Sequence, residues 1–156
     1  FVLNKDIFSN LNEFIEDCVK EYTDKILVTD QELNVTQSWT NRTKIGQEHH
    51  YHDHPNSILS GVFFLKSGSP IKFLNNRNCS FQLEHKKNVN SYNQYNQNVY
   101  EYPSEPRILI LFPSYLTHYV PVNTGGDRYS LSFNTFPSGS FGSKRSLTHV
   151  NLEKEV

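Results

Sequence analysis

The stretch His49-His50-Tyr51-His52-Asp53-His54-Pro55, with the apolar run 58–65 shortly after it, decides the expected fold. Successive side chains of a strand point to opposite faces, so His52 and His54 can point to the same side. A continuous apolar run of this length is typical of a strand buried on both faces. The pattern predicts two imidazoles on one face of a strand close to a buried strand. The alternative is a polar surface loop.

A second apolar run, 108–112, leads into Pro113-Ser114-Tyr115-Leu116-Thr117-His118. Imidazole is a common ligand of first-row transition metals, and a third imidazole from this distant strand would complete a facial site with open coordination positions. We therefore predict that His52, His54 and His118 bind one metal ion.

Arg128 lies ten positions after His118 and begins the segment 128–134, in which polar and apolar side chains alternate. Alternation of this kind predicts a strand with two chemically different faces. One face carries Arg128, Ser130, Ser132 and Asn134, and the other carries Tyr129, Leu131 and Phe133. We expect the polar face to point inward, although a surface salt bridge is the alternative role for Arg128.

The rest of the chain predicts a mainly β fold with one helix. Apolar side chains recur at helical spacing between residues 5 and 24, and no later segment has this period. Many short strands after one helix indicate a double-sheet, cupin-like jelly roll, with the helix packed outside one sheet. We expect a single domain over 1–156, with the helix at about 5–24, the barrel core at about 33–136 and a tail at 137–156. The polar segment 85–98 is expected to be a long loop or a lid.

Composition limits the classes of partner. The chain has 156 residues, of which 36 % are hydrophobic, as expected for a packed domain. Its net charge of −1 gives no electrostatic indication of nucleic-acid binding. No apolar run approaches the length of a membrane helix, so no membrane partner is expected. Cys18 and Cys79 lie far apart without a metal or disulfide pattern, which favours a reducing, cytoplasmic location. The abundance of residues with AT-rich codons indicates an AT-rich genome.

Five ordered segments between about residues 37 and 136 share a family pattern. They are Trp39-Thr40-Asn41, His52-Asp53-His54-Pro55, Ser60-Gly61-Val62-Phe63-Phe64, Leu111-Phe112-Pro113-Ser114-Tyr115-Leu116-Thr117-His118 and Arg128-Tyr129-Ser130-Leu131-Ser132-Phe133-Asn134. In this order they resemble the 2-oxoglutarate/Fe(II) oxygenase superfamily, and more narrowly the oxygenases found in marine phages and some bacteria.

The resemblance implies a double-stranded β-helix that holds Fe(II) between its sheets and uses 2-oxoglutarate and O2 as cosubstrates. The keto acid of 2-oxoglutarate would chelate the iron, and its distal carboxylate would pair with Arg128 and accept a hydrogen bond from Ser130. Asn41, eleven positions before His52, is a further candidate for cosubstrate binding, with a purely structural role as the alternative. The implied activity is hydroxylation of an unidentified small molecule or protein side chain.

The chain departs from most of the superfamily at His54, where an Asp or Glu usually stands. Asp53 is one position off and should point to the opposite face of its strand. Three neutral imidazoles leave more positive charge on Fe(II), which favours a dianionic cosubstrate. Glu48 and Asp127 stay open as additional carboxylate ligands.

Two other classes of function compete with this one. A three-His dioxygenase or a Zn(II) hydrolase would use the same imidazoles without 2-oxoglutarate and would not need Arg128 and Ser130. A non-catalytic jelly-roll module of a phage would need no stoichiometric metal. The remaining histidines are not expected to bind the metal, and they are His49, His50, His85 and His149. Of these, His50 should lie on the same strand face as His52.

Overall fold

The computed structural model describes residues 1–75 and 97–152, which form a mainly β protein with one α-helix. A 3-10 turn (Asp6–Phe8), α1 (Ser9–Tyr22) and a π-helical turn (Thr23–Leu27) replace the single predicted helix at 5–24. The strands are β1 (Leu33–Thr43), β2 (His49–His52), β3 (Leu59–Lys66), β4 (Ile71–Leu74), β5 (Val99–Tyr102), β6 (Leu109–Pro113), β7 (His118–Val120), β8 (Arg128–Pro137), β9 (Gly139–Phe141) and β10 (Val150–Leu152).

Two four-stranded antiparallel sheets make up the body of the fold. The first sheet has the order β1-β8-β3-β6 and the second has the order β2-β7-β4-β5. The two long apolar runs lie in neighbouring strands, with Ser60 opposite Phe112 and Val62 opposite Ile110. The chain crosses repeatedly between the two sheets, and this connectivity confirms the predicted jelly roll.

Helix α1 packs on the outer face of the first sheet, as expected. Its buried residues Ile15 and Val19 belong to one apolar cluster with Leu59, Leu131 and Phe133 of the sheet. Burying a large aliphatic or aromatic side chain contributes about 1.5–3 kcal/mol. The helix therefore covers the apolar face of β8 and leaves the other face of that strand to the space between the sheets.

Gly61 in β3 allows this packing to be tight. A Cβ atom built at Gly61 would lie 2.2 Å from Cζ of Phe133 and 3.0 Å from Cδ2 of Leu111. Contacts below 3.0 Å are not tolerated without movement of the neighbours, and protein interiors are close-packed. The glycine is therefore required by the close approach of the Phe133 ring to the backbone of β3.

A second apolar cluster fills one part of the space between the sheets. It contains Val62 and Phe64 of β3, Ile71 and Phe73 of β4, and Phe112 of β6. The rings of Phe73 and Phe112 meet edge to face with centroids 4.9 Å apart, a favourable aromatic geometry. This cluster forms the apolar part of the interior, and its Phe73 and Phe112 rings contact the polar part at His118.

Two further observations concern the tail and the predicted loop. Strands β9 and β10 form a small antiparallel hairpin inside the segment 137–156, where no strand was predicted. The predicted loop at 85–98 lies outside the described residues except for its last two positions. Among residues 1–75 and 97–152, no helix has the length and apolar character needed to cross a membrane.

Candidate metal centre and anion pocket

The imidazoles of His52, His54 and His118 come together between the sheets. Their potential ligand atoms all lie within 4.8 Å of one another, and the ring centroids of His52 and His118 are 4.3 Å apart. His52 faces His118 across the β2–β7 pair, while His54 lies just beyond the end of β2. The structure thus brings together the three residues proposed as ligands. Metal binding by them stays a prediction.

Backbone carbonyls fix the orientation of two of these rings. Nδ1 of His52 lies 2.8 Å from the carbonyl oxygen of His50, and Nδ1 of His118 lies 2.8 Å from that of Leu116. A carbonyl oxygen can only accept, so each Nδ1 carries the proton and donates. In the neutral rings Nε2 then has a free lone pair, as in metal-binding histidines held by a second hydrogen bond.

Burial keeps His118 uncharged. Its ring lies against Phe112 and Phe73, with centroids 4.8 and 5.6 Å away. Burial lowers the pKa of His118 to about 4, and it also lowers the pKa of His54, to which the neighbouring His52 contributes. Both imidazoles are therefore neutral at pH 7, which is the form that ligates a metal ion.

Hydroxyl groups hold the segment that carries His54. The His54 N–H donates to the carbonyl oxygen of Ser114 at 3.0 Å. The Ser114 hydroxyl is fully buried and bonds to the hydroxyls of Ser57 at 2.7 Å and Ser60 at 2.8 Å. The Ser60 hydroxyl also donates to Oδ1 of Asn134 at 2.8 Å. This network joins the strands around His54 and limits the movement of its backbone.

Arg128 is buried, and none of the described residues provides a counter-ion for it. Its residue exposure is 2 %, its Nη1 donates to the Ser130 hydroxyl at 3.2 Å, and its guanidinium lies over the Phe64 ring with Cζ 5.1 Å from the centroid. Within the described part of the chain, Nε of Arg128 is the one buried side-chain polar atom that lacks a hydrogen-bond partner. Burial lowers the pKa of Arg128 to about 10, so it is still a cation at pH 7.

An unpaired buried cation is expensive, because the charge loses its hydration without gaining a partner. Such a group in a native protein calls for an explanation, and an anionic ligand supplies one. The surface salt bridge considered for Arg128 is wrong. Arg42 and Asp127 form one instead, with Nη2 and Oδ2 2.6 Å apart.

A cavity of about 70 Å³ connects the imidazoles to Arg128. Ser130 lies 1 % exposed on its wall, and Asn41 lines it with Nδ2 3.2 Å from the Ser132 hydroxyl. The predicted cosubstrate residues and the predicted metal ligands therefore share one cavity. Its lining consists of Trp39, Asn41, His49, His52, His54, Gly61, Val62, Ile71, Phe112, His118, Val120, Arg128, Ser130 and Ser132.

His49 belongs to this lining, which the sequence analysis did not predict. His49 lies opposite Val120 and His52 lies opposite His118, so β2 has one residue more than β7 over this interval. This β-bulge changes the alternation and brings His49 to the cavity together with His52. His50, expected on that face, is exposed and supports His52 through its carbonyl oxygen instead.

The two carboxylates left open as ligands do not join the imidazoles. Asp127 accepts from Arg42, which holds the pKa of that carboxyl below its usual range, and Glu48 is exposed. Over residues 1–75 and 97–152, the group with metal-site geometry consists of the three imidazoles alone. His149 is exposed, and His85 lies outside the described residues.

Residues 37–134 match a protein family described as "Putative 2OG-Fe(II) oxygenase". The match spans well over half of the chain, and the protein therefore belongs to this family.

Several solved structures have a similar fold. A 2OG-Fe(II) oxygenase-family oxidoreductase from Burkholderia pseudomallei is 14% identical, with a TM-score of 0.54 over 86% of this chain and 53% of that one. A prolyl-4-hydroxylase from Pseudomonas putida is 13% identical, with a TM-score of 0.56 over 87% and 69%. HygX from Streptomyces hygroscopicus, with nickel and 2-oxoglutarate bound, is 14% identical, with a TM-score of 0.50 over 78% and 64%.

The chain thus spans about half the length of the Burkholderia protein. At these identities the likeness concerns the fold. No curated protein matches the chain in sequence.

Proposed function

We propose that the protein is an Fe(II)- and 2-oxoglutarate-dependent oxygenase that hydroxylates a small molecule or a protein side chain. The observation that carries this proposal is the buried guanidinium of Arg128, which has no counter-ion among the described residues and lies in the same cavity as three convergent imidazoles. Both ends of the cavity fit the group that each would bind. One end offers neutral nitrogen ligands, and the other offers a cation that lacks an anion.

In this proposal His52, His54 and His118 hold Fe(II) through their ring nitrogens. Imidazole nitrogens suit Fe(II), and three ligands leave positions for a cosubstrate and O2. When bound, iron supplies the redox chemistry that couples O2 to oxidation of 2-oxoglutarate and of the substrate. The protein contributes the neutral state of His54 and His118 and the fixed direction of the Nδ1 protons of His52 and His118.

Arg128 and Ser130 bind the distal carboxylate of 2-oxoglutarate in this proposal. The free Nε and the terminal nitrogens of a guanidinium form the planar fork that pairs with a carboxylate in two hydrogen bonds. Both residues are almost completely buried, so water does not weaken the ion pair. Asn41 makes a smaller contribution, with an amide that is now bonded to Ser132 and can turn to the ligand.

The substitution of His54 for an acidic residue bears on the choice of cosubstrate. Three neutral ligands leave the full charge of Fe(II) uncompensated, and a dianion such as 2-oxoglutarate compensates it. We infer that the protein belongs to the narrower phage and bacterial group that its motifs resemble, and that it works in a reducing cytoplasm, which is that of the host if a phage encodes it.

A second candidate function is a three-His dioxygenase or a Zn(II) hydrolase without 2-oxoglutarate. The observation in its favour is the donor set itself, because three imidazoles without a carboxylate also occur in such sites. This second function does not explain why Arg128 is buried without a counter-ion among the described residues, and we therefore rank it second. A purely structural module would leave both the imidazole group and Arg128 unexplained.

Anaerobic titration separates these functions. Adding Fe(II) and then 2-oxoglutarate to the protein should produce a charge-transfer band in the visible spectrum, and adding O2 should then yield succinate. Iron binding without a response to 2-oxoglutarate would favour the second candidate. Failure to retain any metal would favour the structural module.

A further inference from the structure

We propose that His49, held by Thr43, closes the Arg128 end of the cavity and donates a hydrogen bond to the distal carboxylate of the dicarboxylate cosubstrate. This inference rests on the proposed function, since it assigns a third binding residue to the same ligand. It makes the carboxylate pocket a set of three donors, Arg128, Ser130 and His49.

The first argument is the position of the His49 ring between two spaces. On its inner side His49 lines the cavity that contains Arg128 and Ser130. On its outer side it lines a surface depression of about 280 Å³ together with Glu48, His50 and His52. The half-buried His49 ring is therefore part of the wall between the inner cavity and the surface at the edge of β2.

The second argument is the contact that holds the ring. Nε2 of His49 lies 2.8 Å from Oγ1 of Thr43, whose residue exposure is 1 %. Thr43 pairs with Arg128 across β1 and β8, and directly opposed residues of an antiparallel pair have neighbouring side chains. The ring is thus fixed beside the guanidinium. Burial, and after it the charge of Arg128, lower the pKa of His49, as expected from this arrangement.

The third argument concerns which ring nitrogen carries the proton. Within residues 1–75 and 97–152, the Thr43 hydroxyl has Nε2 of His49 as its hydrogen-bond partner and no other. Donation by the hydroxyl satisfies its proton and places the ring proton on Nδ1. Nδ1 has no partner among the same residues, so the His49 ring has one N–H donor that is free for a ligand.

A carboxylate can accept a hydrogen bond from this donor. Its two oxygens provide about four lone-pair sites, and the Arg128 fork and the Ser130 hydroxyl do not fill all of them. A neutral N–H adds a charge-assisted bond without adding a second positive charge to the pocket. A 2-oxo acid without a distal carboxylate makes none of these bonds, so His49 should affect selectivity as well as affinity.

Trp39 provides the readout. It is the one tryptophan of the chain, and it lines the same cavity, so its fluorescence reports ligands that enter there. The experiment uses protein loaded with Mn(II), a stand-in for Fe(II) that is stable in air. It is titrated with 2-oxoglutarate and, separately, with 2-oxovalerate, which has the same chain length but no distal carboxylate.

The variants are His49→Ala, His49→Gln and Thr43→Val, with His149→Ala as the control for an exposed histidine. We expect His49→Ala to weaken 2-oxoglutarate binding about 10- to 100-fold, the usual range for a hydrogen bond to a charged group. Glutamine keeps an N–H donor and should recover part of the loss, and Thr43→Val should fall between wild type and His49→Ala. Binding of 2-oxovalerate should be the same in wild type and all variants.

The outcomes separate the inference from the proposed function. If wild-type protein does not bind 2-oxoglutarate, both are overturned. If it binds and His49→Ala binds equally well, or loses 2-oxoglutarate and 2-oxovalerate to the same extent, the inference alone is overturned. Thermal unfolding identifies any variant that is not folded. If that variant is His49→Ala, the comparison of Thr43→Val and His49→Gln with wild type decides by the same criterion.

Discussion

The two faces of strand β8 are equally buried but chemically opposite. On the helix side Leu131 and Phe133 are fully buried, and on the inner side Arg128 and Ser130 are 2 % and 1 % exposed. The helix side is packed so closely that β3 has no room for a Cβ at Gly61. The inner side leaves a cavity and a guanidinium nitrogen that has no partner in the described part of the chain. Burial stabilises the fold on the first face and costs free energy on the second, which is expected of a face that binds a ligand.

The largest expected effect concerns the metal on the inner side. His118→Ala removes one of three ligands, and we expect metal affinity to fall by more than the roughly 10- to 100-fold typical of a lost outer partner of a ligand. The measurement is metal content after dialysis, together with a competition assay for affinity. His149→Ala, the matched control at an exposed histidine, should retain metal like wild type. Equal retention by both variants would refute the assignment of His118.

The next largest effect is expected on the helix side of β8, where a substitution should change stability but not ligand binding. Phe133→Ala should lower the free energy of unfolding by about 3–5 kcal/mol, because it removes a fully buried ring and leaves a cavity next to α1. Urea denaturation measures this change. A loss well under 1 kcal/mol would show that the two faces of β8 do not differ in the way proposed.

Arg128→Ala should change ligand binding more than stability, which is the reverse of Phe133→Ala. Binding of 2-oxoglutarate should weaken by about 2–5 kcal/mol, because a buried carboxylate would be left unpaired. Stability should fall by less than in Phe133→Ala, since the variant also removes an uncompensated buried charge. Arg128→Lys should recover only part of the binding because lysine lacks the planar fork. Calorimetric titration and urea denaturation of the same samples test both halves, and unchanged binding would contradict the role of Arg128.

The smallest effect tests how closely the helix side is packed. Gly61→Ala places a Cβ against the Phe133 ring and should cost about 1–3 kcal/mol of unfolding free energy. Gly126→Ala is the matched control, because a Cβ at Gly126 meets no atom of residues 1–75 or 97–152 within 4 Å. Thermal unfolding of the two variants measures the difference. Similar midpoints would mean that Phe133 moves aside easily.

Much of this architecture was accessible from local sequence patterns. Strands β3 and β6 take up most of the apolar runs 58–65 and 108–112, from which buried strands were expected. The alternation in 128–134 correctly separates the two faces of β8. These features follow from period-two patterning and apolar runs, which act over a few neighbouring residues.

Patterns at the rim of the fold were less informative. The hairpin of β9 and β10 was not predicted, because its strands have three residues each and little apolar alternation. The helix predicted at 5–24 is α-helical only over Ser9–Tyr22. A 3-10 turn precedes this part and a π-helical turn follows it, and hydrophobic spacing does not distinguish these hydrogen-bonding patterns from an α-helix.

The sequence by itself determined which residue types lie on which strand, including the three histidines and the arginine of the candidate site. The tertiary structure decided which of them meet. The bulge that brings His49 to the cavity depends on the pairing of β2 with β7, which is a contact between segments far apart in the chain. The unpaired Nε of Arg128 depends on every side chain that encloses it. Neither property can be read from local periodicity, because each is set by distant residues that become neighbours only when the two sheets close.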